Sequence, residues 1–203
     1  MSGWNSHKGL AVGLPQANID TDQLIPARFM SVPRAEGYGP YLLHDMRRDA
    51  EGRLRAEFAL NRHEGASVLV AGRNFGSGSS REAAVYALVD AGICAVIAPS
   101  FGDIFASNAV NNGLLPARID GALQGELATA LAEGARDIEI DISARQLRLG
   151  TLSGAFELDD SWAKKLINGW DDIDLSLAQG MAIKKFKDLR YQTTPWAWPS
   201  GPD

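Results

Sequence analysis

The sequence predicts an α/β fold with a central, largely parallel sheet flanked by helices. Residues 67–71 and 94–98 form short apolar runs bounded by glycine or proline, as buried strands are. Between them, alanine and leucine recur at helical spacing over 83–91, and Gly92 ends this helix. A second short helix is predicted over 104–109. Strand, helix, strand and helix in this order imply parallel pairing in an α/β layer.

The later part of the chain predicts a small antiparallel meander beside this layer. Residues 114–118 form another short extended run, and residues 138–142 alternate strictly between apolar and polar side chains. That alternation is typical of a strand with one face in water. Residues 146–149 and 155–158 complete the predicted meander.

A helical extension is predicted over about 159–203. Asp159 or Asp160 caps a helix that runs to about Asn168. A last amphipathic helix is marked by Leu177, Met181, Ala182, Phe186 and Leu189, with lysines 184, 185 and 187 on its solvated face. The tail over 195–199 cannot lie inside a helix, because its prolines lack the N–H donor. Its two tryptophans either fold back on the domain or contact a partner.

Length and composition favour one globular domain over 1–203. The chain is 45% hydrophobic and 22% charged, with a net charge of −5. This balance argues against nucleic acid as a partner. No apolar run approaches the ~18 residues of a membrane span, and the start does not look like a secretory leader. The one cysteine, Cys94, sits in an apolar run and is interpreted as a buried hydrophobe, and one cysteine with three histidines cannot hold a metal cluster.

The most informative segment for chemistry is residues 72–82, which follows a strand and opens a helix. Its glycines let the backbone approach a ligand, and a helix start offers free N–H donors and a positive dipole end. Arg81 stands where a dinucleotide fingerprint needs its third glycine, and no lysine supplies a P-loop. Ser80 and Arg81 suit a carboxylate ligand. The structural alternative is a capping box formed by Ser79 and Glu82.

Two further segments are candidates for function. Residues 18–29 contain Asp20 and Asp22 close together in sequence. This pattern is typical of a series of Asx turns, and the alternative is a metal site formed by the two carboxylates. The calcium-loop pattern fails here, because its glycine and its final glutamate are missing. Residues 33–57 are charged and lack periodicity, which predicts a long, functional loop.

Five motifs in order along the chain identify it as similar to the small subunits of 3-isopropylmalate dehydratase, relatives of the swivelling C-terminal domain of aconitases. They are residues 18–29 (NIDTDQLIPARF), 74–82 (NFGSGSSRE), 97–105 (IAPSFGDIF), 112–116 (NGLLP) and 166–173 (LINGWDDI). The resemblance implies a swivelling β/β/α domain, a cytoplasmic location and a role in leucine biosynthesis. It also implies a larger partner subunit that carries a [4Fe-4S] cluster.

The same resemblance implies roles for particular residues. Ser79 matches the serine that acts as the base, while Ser80 and Arg81 match positions that bind the dicarboxylate substrate. The substrate-selecting loop corresponds roughly to 39–45, where Leu42 and Leu43 are candidates to contact an isopropyl group or simply to pack. Arg28 is a weaker candidate for a substrate carboxylate or for the subunit interface.

Departures from the pattern bear on the substrate rather than on the reaction. Bacterial relatives commonly carry cysteine at Ser77 and histidine at Ala83, and their substrate loop differs from residues 41–47. A paralogue acting on another 2-hydroxydicarboxylate, of methylmalate/citraconate or dimethylmaleate type, is therefore an alternative. A non-catalytic carboxylate-binding domain is the alternative from another class.

Overall fold

The computed structural model describes residues 3–198, and its strands form one seven-stranded sheet in the order β4-β3-β2-β1-β5-β6-β7. Strands β1 to β4 pair in parallel, while β5, β6 and β7 continue the sheet from β1 in antiparallel pairing. The predicted α/β class is thus confirmed. The strands are β1 (Ser6–Leu14), β2 (Ala66–Ala71), β3 (Ala95–Ala98), β4 (Leu115–Arg118), β5 (Arg136–Asp141), β6 (Gln146–Leu149) and β7 (Leu152–Ala155).

Helices cover both faces of the sheet, and each face has its own apolar core. The α-helices are α1 (Thr21–Leu24), α2 (His44–Arg47), α3 (Ala59–Arg62), α4 (Glu82–Asp90), α5 (Asp103–Asn111), α6 (Gly121–Ala130), α7 (Asp160–Asn168), α8 (Asp172–Leu177) and α9 (Gly180–Thr193). Short 3-10 turns lie at Ala27–Ser31, Arg34–Glu36, Gly39–Tyr41 and Pro195–Ala197.

The central strand β1 was not predicted from the sequence. Its two glycines interrupt the apolar pattern, and the structure gives a packing reason for Gly9. A Cβ on Gly9 would lie 2.1 Å from Ser67 Oγ on the neighbouring strand, and one on Gly13 would meet Leu131 at 3.5 Å. Close approach of Ser67, rather than a turn, explains Gly9, whereas the contact at Gly13 is an ordinary van der Waals distance. Helix α6 was also missed, although Asp120 caps it by accepting from the Leu123 N–H at 2.8 Å.

The predicted meander is confirmed for 138–142 and 146–149, but its last strand is misplaced. The structure pairs β6 with β7, three residues before the predicted 155–158. Residues after β7 instead cross to the other end of the sheet, where the Glu157 N–H donates to the Arg118 carbonyl at 2.7 Å. The buried side chains of Phe156 and Leu158, which suggested a strand, pack into the core along this crossing.

The segment 33–57 was predicted as a loop without regular structure, and this is wrong in part. It contains two 3-10 turns and helix α2. Arg34 pairs with Asp90 at 2.7 Å, and the Tyr38 N–H donates to the same carboxylate at 2.6 Å. The segment is therefore fastened to the C-terminal end of α4 rather than extending into solvent.

The helical extension follows the prediction at its start and departs from it at its end. Asp159 caps α7, and Gly169 ends it with a φ of 70°. Helix α9 covers the predicted amphipathic helix from Met181 onward, whereas Leu177 ends the separate helix α8. The apolar side chains of α9 are exposed instead of packed, including Met181, Phe186 and Leu189. Trp198, which lies after the end of α9, contacts Tyr191 and Lys187 of that helix, whereas Trp196 is exposed. Pro199 lies outside the described residues.

Across residues 3–198, no helix has both the length and the apolar character to cross a membrane.

Candidate functional site

The candidate site lies where β1, β2 and β3 end, at one edge of the parallel sheet. The three segments that follow these strands run side by side and share backbone hydrogen bonds. The Gly76 N–H donates to the Ile19 carbonyl at 2.7 Å, and the Phe75 N–H donates to the Ser100 carbonyl at 3.0 Å. The carboxyl edge of a parallel sheet is the usual place for ligands in α/β folds. The three sequence motifs at 18–29, 74–82 and 97–105 therefore form one structure.

The loop that carries the serines has a fixed shape. Phe75 is fully buried and packs edge-on against Phe105, with ring centroids 5.4 Å apart. Gly76 has a φ of 71°, and a Cβ there would lie 2.2 Å from the Phe105 ring. Asn74, at a φ of 58°, donates its side-chain amide to Asn18 Oδ1 at 2.9 Å. The buried Phe75 and Phe105 thus anchor the loop in the core, and the polar residues 77–81 follow this anchor.

Ser79, Ser80 and Arg81 come together at the start of α4. Both serines are exposed and Arg81 is partly buried. Arg81 is the N-cap residue, and no side chain caps this helix. The capping-box interpretation of Ser79 and Glu82 is therefore wrong; Glu82 instead accepts from Asn112 Nδ2 at 2.9 Å. An uncapped nine-residue helix leaves N–H donors and the positive dipole end for another group.

Two side chains from α1 reach this helix start. Thr21 Oγ1 lies 3.2 Å from Ser79 Oγ and 3.2 Å from the Ser79 carbonyl oxygen. Asp22 forms a salt bridge with Arg81. In the isolated chain, Arg81 is therefore paired with a carboxylate of the same chain, that of Asp22.

Helix α1 itself is set by the Asx-turn chemistry predicted for its segment. Asp20 accepts from the Gln23 N–H at 2.8 Å, and Gln23 Oε1 accepts from the Asp20 N–H at 2.9 Å. This reciprocal pair is a capping box, so Asp20 has a structural role. Within residues 3–198, no group of three or more histidine, cysteine, aspartate or glutamate side chains is placed to hold a metal ion. Burial raises the pKa of the Cys94 thiol, which makes it less reactive.

The structure places the remaining candidates away from solvent or in other pairs. Leu42 and Leu43 are 1% and 0% exposed and belong to the core. Of the two alternatives for these leucines, contact with substrate and core packing, the burial supports core packing. Neither side chain has a surface free for substrate in this conformation. Leu43 adopts a φ of 51°, and its N–H donates to the Leu24 carbonyl at 2.9 Å, which ties the loop to α1. Arg28 is exposed and makes a two-bond salt bridge with Asp45.

The Arg28–Asp45 pair predicts a measurable pH effect. Hydrogen bonds from Arg28 and then from His44 lower the pKa of Asp45 from 3.8 to about 2. Because the folded-state pKa is the lower one, the pair's contribution to stability is present above pH 3.8 and is lost as the pH falls toward 2. In Arg28→Ala, an NMR titration of the Asp45 carboxyl group should show its pKa rising toward the ordinary value. An unchanged Asp45 pKa in this variant would show that Arg28 does not hold the carboxylate.

A separate groove of the molecule does not contain these residues. It has a volume of about 870 Å³ and lies beside the end of β1, between α3 and the turn after α6. Its lining combines apolar side chains with charged ones, among them Arg55, Arg62 and Asp45, and none of the lining residues belongs to 74–82. The chemistry-bearing residues instead occupy an open edge, as expected if a second protein chain closes the site.

Comparison with known proteins gives the family and the fold of the chain. Residues 1–122 match the family model of the aconitase C-terminal domain. The 3-isopropylmalate dehydratase small subunit of Shouchella clausii is 44% identical over 183 residues, which is 89% of this chain and 93% of that protein. This chain belongs to the family of 3-isopropylmalate dehydratase small subunits. The family member from Shewanella oneidensis is 45% identical over 92% of this chain and 96% of its own length.

The solved structures include a family member with the same fold. The crystal structure of 3-isopropylmalate dehydratase from Methanocaldococcus jannaschii superposes with a TM-score of 0.65 at 27% identity. The match covers 89% of this chain and 98% of that one. The predicted family and the predicted fold class are both confirmed.

Sequence reasoning found the serines and Arg81 but missed the groups around them. Thr21 was read only as part of a turn series, and Asn112 only as part of a motif. Thr21 is a polar residue that is 1% exposed, next to the buried Leu24 and Ile25. A threonine between two aspartates gives no signal for burial, so only the three-dimensional contact with Ser79 shows its place.

Proposed function

We propose that this chain is the small subunit of a two-chain hydro-lyase that interconverts 2-isopropylmalate and 3-isopropylmalate in leucine biosynthesis. The family supports the reaction, and one observation carries the assignment of residues. Ser79, Ser80 and Arg81 lie exposed at an uncapped helix start on the carboxyl edge of the sheet. We also propose that residues 1–203 act as one domain and that the enzyme is cytoplasmic.

Ser79 is proposed as the group that takes and returns the proton. Dehydration breaks a C–H bond next to a carboxylate: the proton goes to the ionised Ser79 Oγ, the electron pair of that bond forms the carbon–carbon double bond, and hydroxide leaves from the neighbouring carbon. Rehydration in the other direction returns that proton, so the cycle leaves Ser79 as it began. A serine oxygen serves as a base only when its negative charge is stabilised, and the dipole at the start of α4 favours that charge.

Arg81 and Ser80 are proposed to bind a substrate carboxylate. A guanidinium binds a carboxylate with two parallel hydrogen bonds, which fixes both position and orientation. Arg81 already makes an ion pair with Asp22. A substrate carboxylate would replace Asp22 at this guanidinium, so binding exchanges one ion pair for another and need not desolvate a bare charge.

The partner is proposed to be the large subunit of the same enzyme. Hydroxide is a poor leaving group, and a [4Fe-4S] cluster on that subunit would supply the Lewis acid that its departure needs. This chain's described residues do not offer a ligand set for the cluster. The dicarboxylate would therefore be held between the two chains, with Ser79 on this side.

The loop at 39–45 is proposed to shape the substrate site indirectly. Because Leu42 and Leu43 are core residues that fasten the loop to α1, they set the position of its exposed neighbours. Leu43→Arg would bury a guanidinium and is expected to destabilise the fold as a whole. It is therefore a poor probe of substrate choice.

The experiment that tests the function is co-expression with the large subunit under anaerobic conditions, followed by assay of the purified complex. Formation of the unsaturated acid is followed from 2-isopropylmalate, 3-isopropylmalate and citramalate side by side. We expect activity on both isopropylmalates. Activity on citramalate alone would move the chain to a paralogous dehydratase, and a complex that binds the acids without turnover would favour a carboxylate-binding domain.

Arg81→Lys gives a prediction for substrate binding. Lysine keeps the charge but loses the two-bond geometry, so we expect KM to rise by about tenfold or more, from the ~1.5–3 kcal/mol of a lost charged hydrogen bond. The steady-state kinetics of the assembled complex measure this. A matched exchange at an exposed arginine away from the edge, Arg148→Lys, should leave KM unchanged. Equal KM values for Arg81→Lys and the native complex would show that Arg81 does not bind the substrate carboxylate.

A further inference from the structure

The side chain of Thr21 is the buried polar group closest to the proposed chemistry. It is 1% exposed, and its hydroxyl oxygen lies 3.2 Å from both Ser79 Oγ and the Ser79 carbonyl oxygen. Across residues 3–198, it is the one side chain that hydrogen-bonds Ser79 Oγ. A hydroxyl has one hydrogen to donate and two lone pairs to accept with. These two contacts therefore constrain where the hydrogens are.

With its hydrogen donated to the Ser79 carbonyl, Thr21 accepts the hydrogen of Ser79 Oγ. The lone pairs of Ser79 Oγ are then left free for another partner, and Ser79 itself is exposed. When Ser79 Oγ is negatively charged, the Thr21 hydroxyl has an acceptor of greater charge at the same 3.2 Å, and rotation about one bond turns its hydrogen to it. Thr21 can thus serve both charge states of Ser79 without moving.

The position of Thr21 is fixed independently of any ligand. Its N–H donates to the Ser77 carbonyl at 2.9 Å, and its own carbonyl accepts from Ile25. The Asp20–Gln23 capping box and the fully buried Leu24 hold the rest of α1. A donor held in place before the reaction does not have to reorganise during it, which is the condition under which such donors contribute most.

We propose that Thr21 is a positioning residue for Ser79: its hydroxyl orients the neutral serine and donates to the charged one. This inference rests on the proposed function, since it takes Ser79 as the group that exchanges the substrate proton. It adds a second residue, from the segment after β1, to a site otherwise built on the segment after β2.

The test compares Thr21→Val with Thr21→Ser in the complex with the large subunit. Valine has the shape of threonine without the hydroxyl, and removing one such donor typically costs about 10²-fold in kcat. We expect kcat to fall by that amount while KM stays within about threefold. With substrate deuterated at the carbon that loses its proton, the isotope effect on kcat should increase, because proton transfer becomes slower than the other steps.

Three controls separate a positioning role from a merely structural one. Thr21→Ser retains the hydroxyl and should recover most of kcat. Thr129→Val removes a hydroxyl that donates only to the Gly125 carbonyl of its own helix, at 2.8 Å, and should behave as the native chain does. All rates are expressed per assembled complex; if Thr21→Val does not assemble, Thr21→Ala is measured with the same expectation.

The outcomes are distinguishable from failure of the proposed function. Loss of activity in Ser79→Ala together with native kcat and isotope effect in Thr21→Val would overturn the inference and leave the function in place. Full activity in Ser79→Ala would show that Ser79 is not the base, and the residue assignment of the proposed function would then be wrong. An equal loss of kcat in Thr21→Val and Thr21→Ser, with an unchanged isotope effect, would also overturn the positioning role.

Discussion

Ser79→Ala in the assembled complex should lower kcat by about 10²–10⁴-fold, the range that a positioned proton-transfer group contributes. The change removes one oxygen atom from an exposed side chain at the carboxyl edge of the sheet. The fold and the affinity for the dicarboxylate should therefore be nearly unaffected, because Ser80 and Arg81 remain. Steady-state kinetics with 2-isopropylmalate measure kcat and KM separately.

The matched control for this variant is Ser77→Ala in the same loop. Ser77 contributes its carbonyl to the Thr21 N–H, and its side chain is not part of the proposed site. This control should retain native turnover. If Ser79→Ala keeps native kcat, Ser79 is not the base, and the start of α4 has only a binding or structural role.

Gly76→Ala should produce the second largest effect, on stability as well as on activity. The residue has a φ of 71°, and the added Cβ would lie 2.2 Å from the ring of the buried Phe105. The backbone conformation and the overpacking together should lower the free energy of unfolding by about 2–4 kcal/mol. The loop carrying Ser79 must shift to relieve the contact, so turnover should be lost as well.

Gly125→Ala is the matched control for that substitution. Gly125 lies inside α6, and a Cβ there would meet nothing within 4 Å. Alanine should stabilise the helix by up to ~1 kcal/mol. Urea unfolding of the two variants measures the contrast. If Gly76→Ala unfolds at the native urea concentration, the close contact with Phe105 does not define the loop.

The sequence predicted the parts of this fold whose pattern is set by local burial. Strands β2 and β3 are buried on both faces, so their side chains form continuous apolar runs. Strand β1 is equally central, but its Gly9 accommodates a neighbour that is distant in sequence, Ser67. No local pattern can report such a contact.

The same limit applies to the candidate site. Ser79 and Arg81 stand in a glycine-rich turn before a helix, which is visible in the sequence alone. The capping-box interpretation failed because Ser79 and Glu82 find partners in other segments, Thr21 and Asn112. Helix α9 shows a second limit. The spacing of its apolar side chains predicted a face packed against the domain, but in the described part of the chain these side chains are exposed.

The central claim is that this chain contributes one side of a site that a second subunit completes. Titration of the purified chain into a fixed amount of the large subunit, with isopropylmalate turnover as the signal, tests it most directly. Activity should be absent from either chain alone, should rise on mixing and should reach a plateau at one equivalent. Added Ser79→Ala chain should then compete for the large subunit and reduce the rate. Turnover by either subunit alone, or a rate that excess Ser79→Ala chain does not reduce, would contradict the account.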